Sequence, residues 1–244
     1  MNVVLITGGS GLIGASTVNA FLESGYEVLN ADLVDNESLT KESGYSFLEF
    51  DIRSEESIEK LTKVLAKENR CLQHLVSIAG GAIHSEFYSL SQMTLNDIKQ
   101  SIELNLVGHI QLVASLKPLL EGSSCSNKTI TLVSSINAIL NFGLPAYSAA
   151  KSGLLGFVRV AASEFGFSDI RVNSVVPGTV VNNSRNEPKD YSQYLKGSSL
   201  NRFSTPQEVA ETILLLADRM TAITGQGITV DCGQSISGTY RHDI

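Results

Sequence analysis

Apolar runs of five to seven residues alternate with longer stretches in which apolar positions return every three or four residues, and the alternation persists along the whole chain. Residues 3–7 (VVLIT), 26–31, 46–50, 72–78, 128–133, 170–176 and 227–231 are the short runs, and they read as strands, several of them buried on both faces of a sheet. Helical periodicity predicts a first helix from the glycine-rich turn after residue 7 to about residue 24, with Ala15, Val18, Phe21 and Leu22 on its apolar side. Further helices are predicted over 54–67, 94–120, 145–165 and 205–218. Two starts carry capping signals: Ser54 with early glutamates, and Thr205-Pro206-Gln207-Glu208. Strand and helix alternate without repeats or a composition break. This predicts an α/β protein: a doubly wound (Rossmann) parallel sheet of seven strands with helices on both faces, in one domain over residues 1–244. Residues 182–205 stand apart, being polar and poorly periodic except for a short helical piece at 191–196, and a stretch of this kind reads as a substrate loop or lid.

In such a sheet ligands bind beyond the carboxyl ends of the strands, and the chemistry collects there. The first strand runs into Gly8, Ser10, Gly11, Leu12, Ile13 and Gly14, a turn whose glycines admit close backbone approach and whose following helix N-terminus attracts an anion. That is a cradle for a pyrophosphate. The second strand ends in Asp32, eighteen residues after Gly14, where a carboxylate reaches both hydroxyls of an adenosine ribose and repels an added phosphate. With no lysine or arginine in the turn or directly after Asp32, NAD is the expected cofactor in preference to NADP. Ala79-Gly80-Gly81 closes the fourth strand, Ser134-Ser135 the fifth and Pro177-Gly178 the sixth.

Tyr147 and Lys151 are four residues apart in the predicted helix 145–165 and share one face. A phenol ordinarily titrates near ~10, and lowering it by about three units takes roughly 4 kcal/mol, within reach of an ammonium beside it in a cleft that also holds a cationic cofactor. Tyr147 is the candidate acid/base. Asn105 lies inside the helical region 94–120, where asparagine is mildly unfavourable and a hydrogen bond within a site would be a reason for it.

Composition narrows the remaining classes. The formal net charge is −7 with lysine and arginine scattered, which argues against nucleic acid as a partner. No apolar run reaches the length of a membrane span, and the N-terminus has no basic leader, so a cytoplasmic protein without a membrane association is expected. Cys71, Cys125 and Cys232 are odd in number and far apart, which predicts reduced thiols. His74, His84, His109 and His242 show no ligand spacing, and no metal site is expected.

Taken together, TGGSGLIG, Asp32, Asp51-Ile52, Ala79-Gly80, Asn105, Ser134-Ser135, Tyr147-Ser148-Ala149-Ala150-Lys151, Arg171-Val172-Asn173, Pro177-Gly178 and the closing segment Thr224 to Asp231 resemble the short-chain dehydrogenase/reductase family from end to end. The resemblance implies an oxidoreductase acting on a secondary alcohol or ketone. In it Tyr147 would exchange the proton, Lys151 would hold the nicotinamide ribose and depress the tyrosine pKa, and Ser135 would bind the substrate oxygen. Asn105 would position a water behind Lys151, Asp51 and Ile52 would meet the adenine, and Pro177, Gly178 and Val180 would line the nicotinamide end. Such proteins are commonly homodimers or homotetramers, with helices 94–120 and 145–165 in the interface.

Three features depart from the family pattern. The spacing of Gly8, Gly11 and Gly14 matches the extended branch, but 244 residues leave no room for that branch's second domain, and the short branch is kept. Ser77-Ile78 stands where asparagine usually precedes Ala-Gly. The usual serine-to-tyrosine spacing selects Ser134, whereas the strand end selects Ser135, and Ser135 is the expected catalytic residue. Two other functions use the same motifs: an NAD-retaining epimerase or dehydratase, and a silent NAD-binding protein. Ser85, Phe87, Tyr88, Phe142, Leu144, Tyr191 and Tyr194 are candidate contacts for a small-molecule substrate, and the acidic balance argues against a highly anionic one unless Arg185 or Arg202 helps.

Overall fold

The computed structural model describes residues 2–67, 71–87, 89–181 and 197–236. The elements in chain order are β1 (Asn2–Thr7), α1 (Leu12–Glu23), β2 (Glu27–Asp32), β3 (Tyr45–Glu49), α2 (Glu55–Lys67), β4 (Cys71–Ser77), α3 (Leu95–Ile102), α4 (Gly108–Gly122), β5 (Lys128–Val133), α5 (Pro145–Phe165), β6 (Ile170–Pro177), α6 (Pro206–Asp218) and β7 (Gly227–Val230). The seven strands form one parallel sheet in the order β3-β2-β1-β4-β5-β6-β7. The chain therefore has the doubly wound architecture expected, and its strand order reverses direction between β1 and β4.

Alternation within the strands builds two cores. Val3 and Leu5 of β1 face α2, α4 and α5, packing with Leu61, Leu112, Leu116 and Leu154. Val4 and Ile6 face the opposite way and pack with Val18 and Phe21 of α1 and Val209 and Ile213 of α6. Strands covered on both faces must be apolar at successive positions, which is why VVLI reads as a run.

Two expectations change. The predicted helix 94–120 is interrupted: a π-helical turn, Glu103–Val107, separates α3 from α4 and contains Asn105. The wider turn accounts for an asparagine inside a helix, since such turns free side chain and backbone for other bonds. The three cysteines are not all reduced thiols, because Cys71 and Cys125 form a disulfide and only Cys232 is free. Parallel pairing sets the start of β4 beside the segment entering β5, bringing the two Cα atoms to 6.0 Å across 54 residues of sequence. A separation so long hides the pairing from any spacing rule.

Residues 182–196 of the expected lid, with Arg185, Tyr191 and Tyr194, lie outside the described residues, as do Tyr88 and His242. The described remainder, 197–205, is fastened to the end of β7, where the Ser198 hydroxyl donates to the Cys232 carbonyl at 2.7 Å. No helix among the described residues is long and apolar enough to cross a membrane.

Candidate active site

A cleft of about 730 Å³ opens along the carboxyl ends of the strands, at the β1/β4 reversal. Gly8, Ser10, Gly11, Leu12, Ile13 and Gly14 line one end, Asp32, Asp51 and Ile52 the adjoining wall, Ala79 and Gly80 the floor, and Ser135, Tyr147, Lys151, Pro177 and Gly178 the other end. Asn105 and Val180 are the expected site residues that do not line it. Val180 bridges to Ser204 and packs on the α1/α6 core.

The glycine end fits a dinucleotide's phosphates on three observations. A Cβ on Gly8 would come within 2.7 Å of the Ala79 nitrogen at a φ of +75°, and one on Gly14 would run into the Gly8 carbonyl, so only glycine permits this closely folded turn. The β1 and β4 ends are drawn together by the Ile78 and Ala79 amides, both donating to the Thr7 carbonyl at 3.1 Å. Helix α1 then starts at Gly11 with no side-chain cap, leaving its first turn to a ligand.

Asp32 is held in place by backbone: its carboxylate accepts from Ser10 N at 2.9 Å and Leu33 N at 2.7 Å. Ser10 in turn donates its hydroxyl to the Val34 carbonyl. Arg53, which is not among the residues expected from sequence, is the cation on this wall. Its guanidinium is bound to Asp51 at 3.0 and 2.7 Å and keeps that carboxyl below the usual range, so its charge is already engaged. The signal available in sequence was only its place two residues after Asp51.

At the other end β5 delivers two serines with opposite directions. Ser134 is buried and donates to the Lys151 carbonyl at 2.9 Å, while Ser135, partly exposed beside Tyr147 in the cleft wall, donates to Asn137 at 3.2 Å. The Lys151 ammonium is 5.7 Å from the centre of the Tyr147 ring and donates to the Val133 carbonyl at 2.9 Å. Burial pushes Lys151 down to about 7. Burial also pushes the Tyr147 phenol up, with Ser135 acting in the opposite sense. In the free protein desolvation thus outweighs the depression of the tyrosine expected from Lys151.

Asn105 stands behind this end with its amide committed to backbone. It accepts from Gly81 N at 2.9 Å and donates to the Gly81 and Ser101 carbonyls at 3.0 Å. A Cβ on Gly80 would lie 2.6 Å from its oxygen and 3.6 Å from the Lys151 nitrogen, so asparagine, glycine turn and lysine are in close packing. Ser77, in the asparagine-poor motif, bonds Thr7 at 3.2 Å and the buried His109 at 2.7 Å, whereas Ile78 lines the cleft. His109 was not singled out by sequence, since its partner lies 32 residues away.

A second cleft, of about 540 Å³, lies beside the start of α5 and includes Phe87, Phe142 and Leu144 among the expected substrate contacts; Ser85 does not line it.

A doubly wound sheet with an open helix start and a Ser-Tyr-Lys end defines the class of nucleotide-dependent oxidoreductases. The family model for enoyl-(acyl carrier protein) reductase matches residues 10–235. A 3-oxoacyl-[acyl-carrier-protein] reductase of Synechocystis sp. is 30% identical over 241 residues, covering 95% of this chain and 96% of its own length. Among solved structures, an oxidoreductase of the short-chain dehydrogenase/reductase family from Burkholderia thailandensis superposes with a TM-score of 0.86 at 30% identity, covering 97% and 93% of the two chains. NADP-bound ElxO superposes with a TM-score of 0.86 at 25% identity, covering 96% and 98%. The chain belongs to the short-chain dehydrogenase/reductase family and is an oxidoreductase using a nicotinamide cofactor.

Proposed function

We propose that this chain interconverts a secondary alcohol and its ketone with NAD as the cofactor, Tyr147 serving as the acid/base. The observation that carries the reading is the meeting of Ser135, Tyr147 and Lys151 at the end of the cleft opposite the glycine turn. The cofactor supplies or accepts the hydride. Gly8 to Gly14 would hold its pyrophosphate, Asp32 its adenosine ribose, Asp51 and Ile52 its adenine, and Ala79, Gly80, Pro177 and Gly178, but not the core-packed Val180, its nicotinamide half.

Tyr147 gives its phenolic proton to the substrate oxygen in reduction and takes it back in oxidation. Ser135 donates a hydrogen bond to that oxygen and stabilises charge developing on it. Lys151 brings a buried cationic donor beside the phenol and lowers its pKa once cofactor charge adds to its own. Asn105 supports Lys151 from behind by fixing the Gly80-Gly81 turn through its bonds to Gly81.

The preference for NAD rests on Asp32 at the open wall and on Arg53 being bound to Asp51, which leaves a carboxylate and, among the described residues lining the cleft, no guanidinium without a carboxylate partner where a ribose phosphate would sit. A homodimer or homotetramer is supported by Leu95, Ile98, Val107 and Val160, apolar and exposed on α3, the π turn and α5. The decisive experiment measures NADH formation and consumption over a panel of secondary alcohols, sugars, hydroxysteroids, 3-oxoacyl thioesters and the corresponding ketones or alcohols, with wild type beside Tyr147→Phe. Turnover by wild type that is lost in the variant supports the reading; turnover surviving in the variant removes Tyr147 from its role.

A further inference from the structure

Helix α5 begins without a cap of its own. Its N-cap Leu144 follows Gly143 at φ +72°, itself sits at φ +57°, and offers no side-chain bond to the helix. Pro145 has no N–H, so the amides of Ala146 and Tyr147 are the first of the helix that need an acceptor. Both find it in one remote side chain. Glu86 accepts from Ala146 N through Oε2 at 3.2 Å and from Tyr147 N through Oε1 at 2.8 Å. It reaches there from a short 3-10 turn, His84–Phe87, in the loop after β4, and only 2% of it is exposed. A carboxylate buried so deeply requires compensation, which two amide donors at the positive end of a 21-residue helix supply.

One of those two bonds ends on the backbone of Tyr147 itself. We propose that Glu86 is a positioning residue, clamping the first turn of α5 to the 84–87 loop and thereby setting the Tyr147 phenol against Ser135 and Lys151. The proposal rests on the acid/base role given to Tyr147 above. A local cap would hold the helix equally well, as Thr205 does for α6. A remote one additionally makes the position of the phenol depend on the loop. That loop is also a wall of the second cleft, where Glu86 and Phe87 face Phe142 and Leu144, so the clamp joins the cleft wall to the proton donor.

The test compares the full-length wild type with Glu86→Ala, which removes both acceptors, and Glu86→Gln, which keeps the shape and one acceptor oxygen. In Glu86→Ala, kcat per folded molecule falls on the order of tenfold to a hundredfold, the scale of an ångström's misplacement, while the NADH Kd stays within about twofold. Glu86→Gln recovers part of the loss. Amide exchange in the NADH complex quickens at both Ala146 and Tyr147 in Glu86→Ala and stays slow at one of them in Glu86→Gln. Unchanged kcat in folded Glu86→Ala, unchanged exchange at both amides, or a parallel collapse of NADH binding each overturns the clamp. Failure of the acid/base reading looks different: Tyr147→Phe would keep its turnover, or wild type would show none. In either case the Ala146 and Tyr147 exchange rates and the Tyr147 ring resonances in Glu86→Ala still decide whether Glu86 holds the tyrosine.

Discussion

Helices α1 and α5 both begin at the cleft, yet Gly11 leaves the first without a side-chain cap while Glu86 closes the second. The α1 end is made of backbone: glycines that exclude Cβ atoms, amides without a protein cap, and one carboxylate fixed by two peptide N–H groups. The α5 end is made of side chains whose charge states are set by burial, with Lys151 inside the protein and His109 beneath it. An anion-binding end works by leaving donors unspent, because the ligand completes the helix. A proton-transfer end works by fixing one oxygen among partners, because small displacements there cost rate. Closing one helix start with the chain's own carboxylate also leaves the other as the place where phosphate is favoured.

The largest break in this contrast comes from Tyr147→Phe. Removing the phenol while leaving the α1 end untouched should lower kcat by about 10²- to 10⁴-fold, the usual span of general acid–base catalysis, with the NADH Kd within about twofold of wild type. Steady-state rates paired with NADH fluorescence titration check it. A matched loss of binding would show that the two ends are not separable.

Acid should act next, and on buried bases rather than on the glycine turn. Burial and the neighbouring Lys151 charge push His109 down to about 3, and burial with the Arg171 charge pushes His74 down to about 4. Unfolded histidine titrates near ~6.5, so between those values the unfolded chain binds the extra protons. The contribution is full above ~6.5 and is lost as pH falls through that value toward the folded pKa values. At pH ~5 each imidazole accounts for about 2 kcal/mol of lost stability, from 1.36 kcal/mol per pH unit. Urea unfolding at two pH values should show His109→Gln losing about 2 kcal/mol less than wild type between pH ~7 and ~5. Equal losses would mean that His109 is charged in the fold.

Gly11→Asp sharpens the comparison by giving α1 the cap that it lacks. Gly11 sits at φ −75°, ψ 179°, open to any residue, and a Cβ there would meet its nearest neighbour at 3.4 Å. The new carboxylate would take up the helix amides, raising stability by a few tenths of a kcal/mol over glycine at about this position. It would also repel the pyrophosphate and displace a charge-assisted bond, so NADH Kd should rise on the order of tenfold to a hundredfold. Opposite signs in thermal unfolding and in calorimetric binding are the expected pair; unchanged binding would place the phosphates elsewhere.

What the sequence made legible follows from how local each cause is. Strand runs, the glycine turn, Asp32 at a strand end and the Tyr147/Lys151 pair are set by neighbours within a few residues, and the structure places all of them along one cleft. The π turn around Asn105 is indistinguishable from plain helix in the sequence, because one extra residue in a turn leaves hydrophobic periodicity almost unchanged. Cys71–Cys125, Ser77–His109 and Glu86–Tyr147 were invisible for the opposite reason. They join residues 54, 32 and 61 positions apart that meet only once the sheet order is known. Ser134 and Ser135 are told apart only by which way a strand residue points: the first is buried and bonds the Lys151 carbonyl, the second bonds Asn137.

The smallest effect belongs to the third helix start, and it serves as the control. Thr205 caps α6 through a reciprocal box with Glu208, accepting from Glu208 N at 3.2 Å while Glu208 accepts from Thr205 N at 2.9 Å. Arg202 fastens the same carboxylate at 2.7 Å, which holds it down to about 2. Here the cap is local and none of its three residues lines the cofactor cleft. Thr205→Ala should therefore cost about 1 kcal/mol of stability, as helix caps do, with kcat and NADH Kd unchanged. Chemical denaturation and steady-state kinetics on the same preparation measure both. A loss of kcat as large as that of Glu86→Ala would show that any loosened helix start slows this enzyme, and would take from the α5 clamp its claim to act through Tyr147.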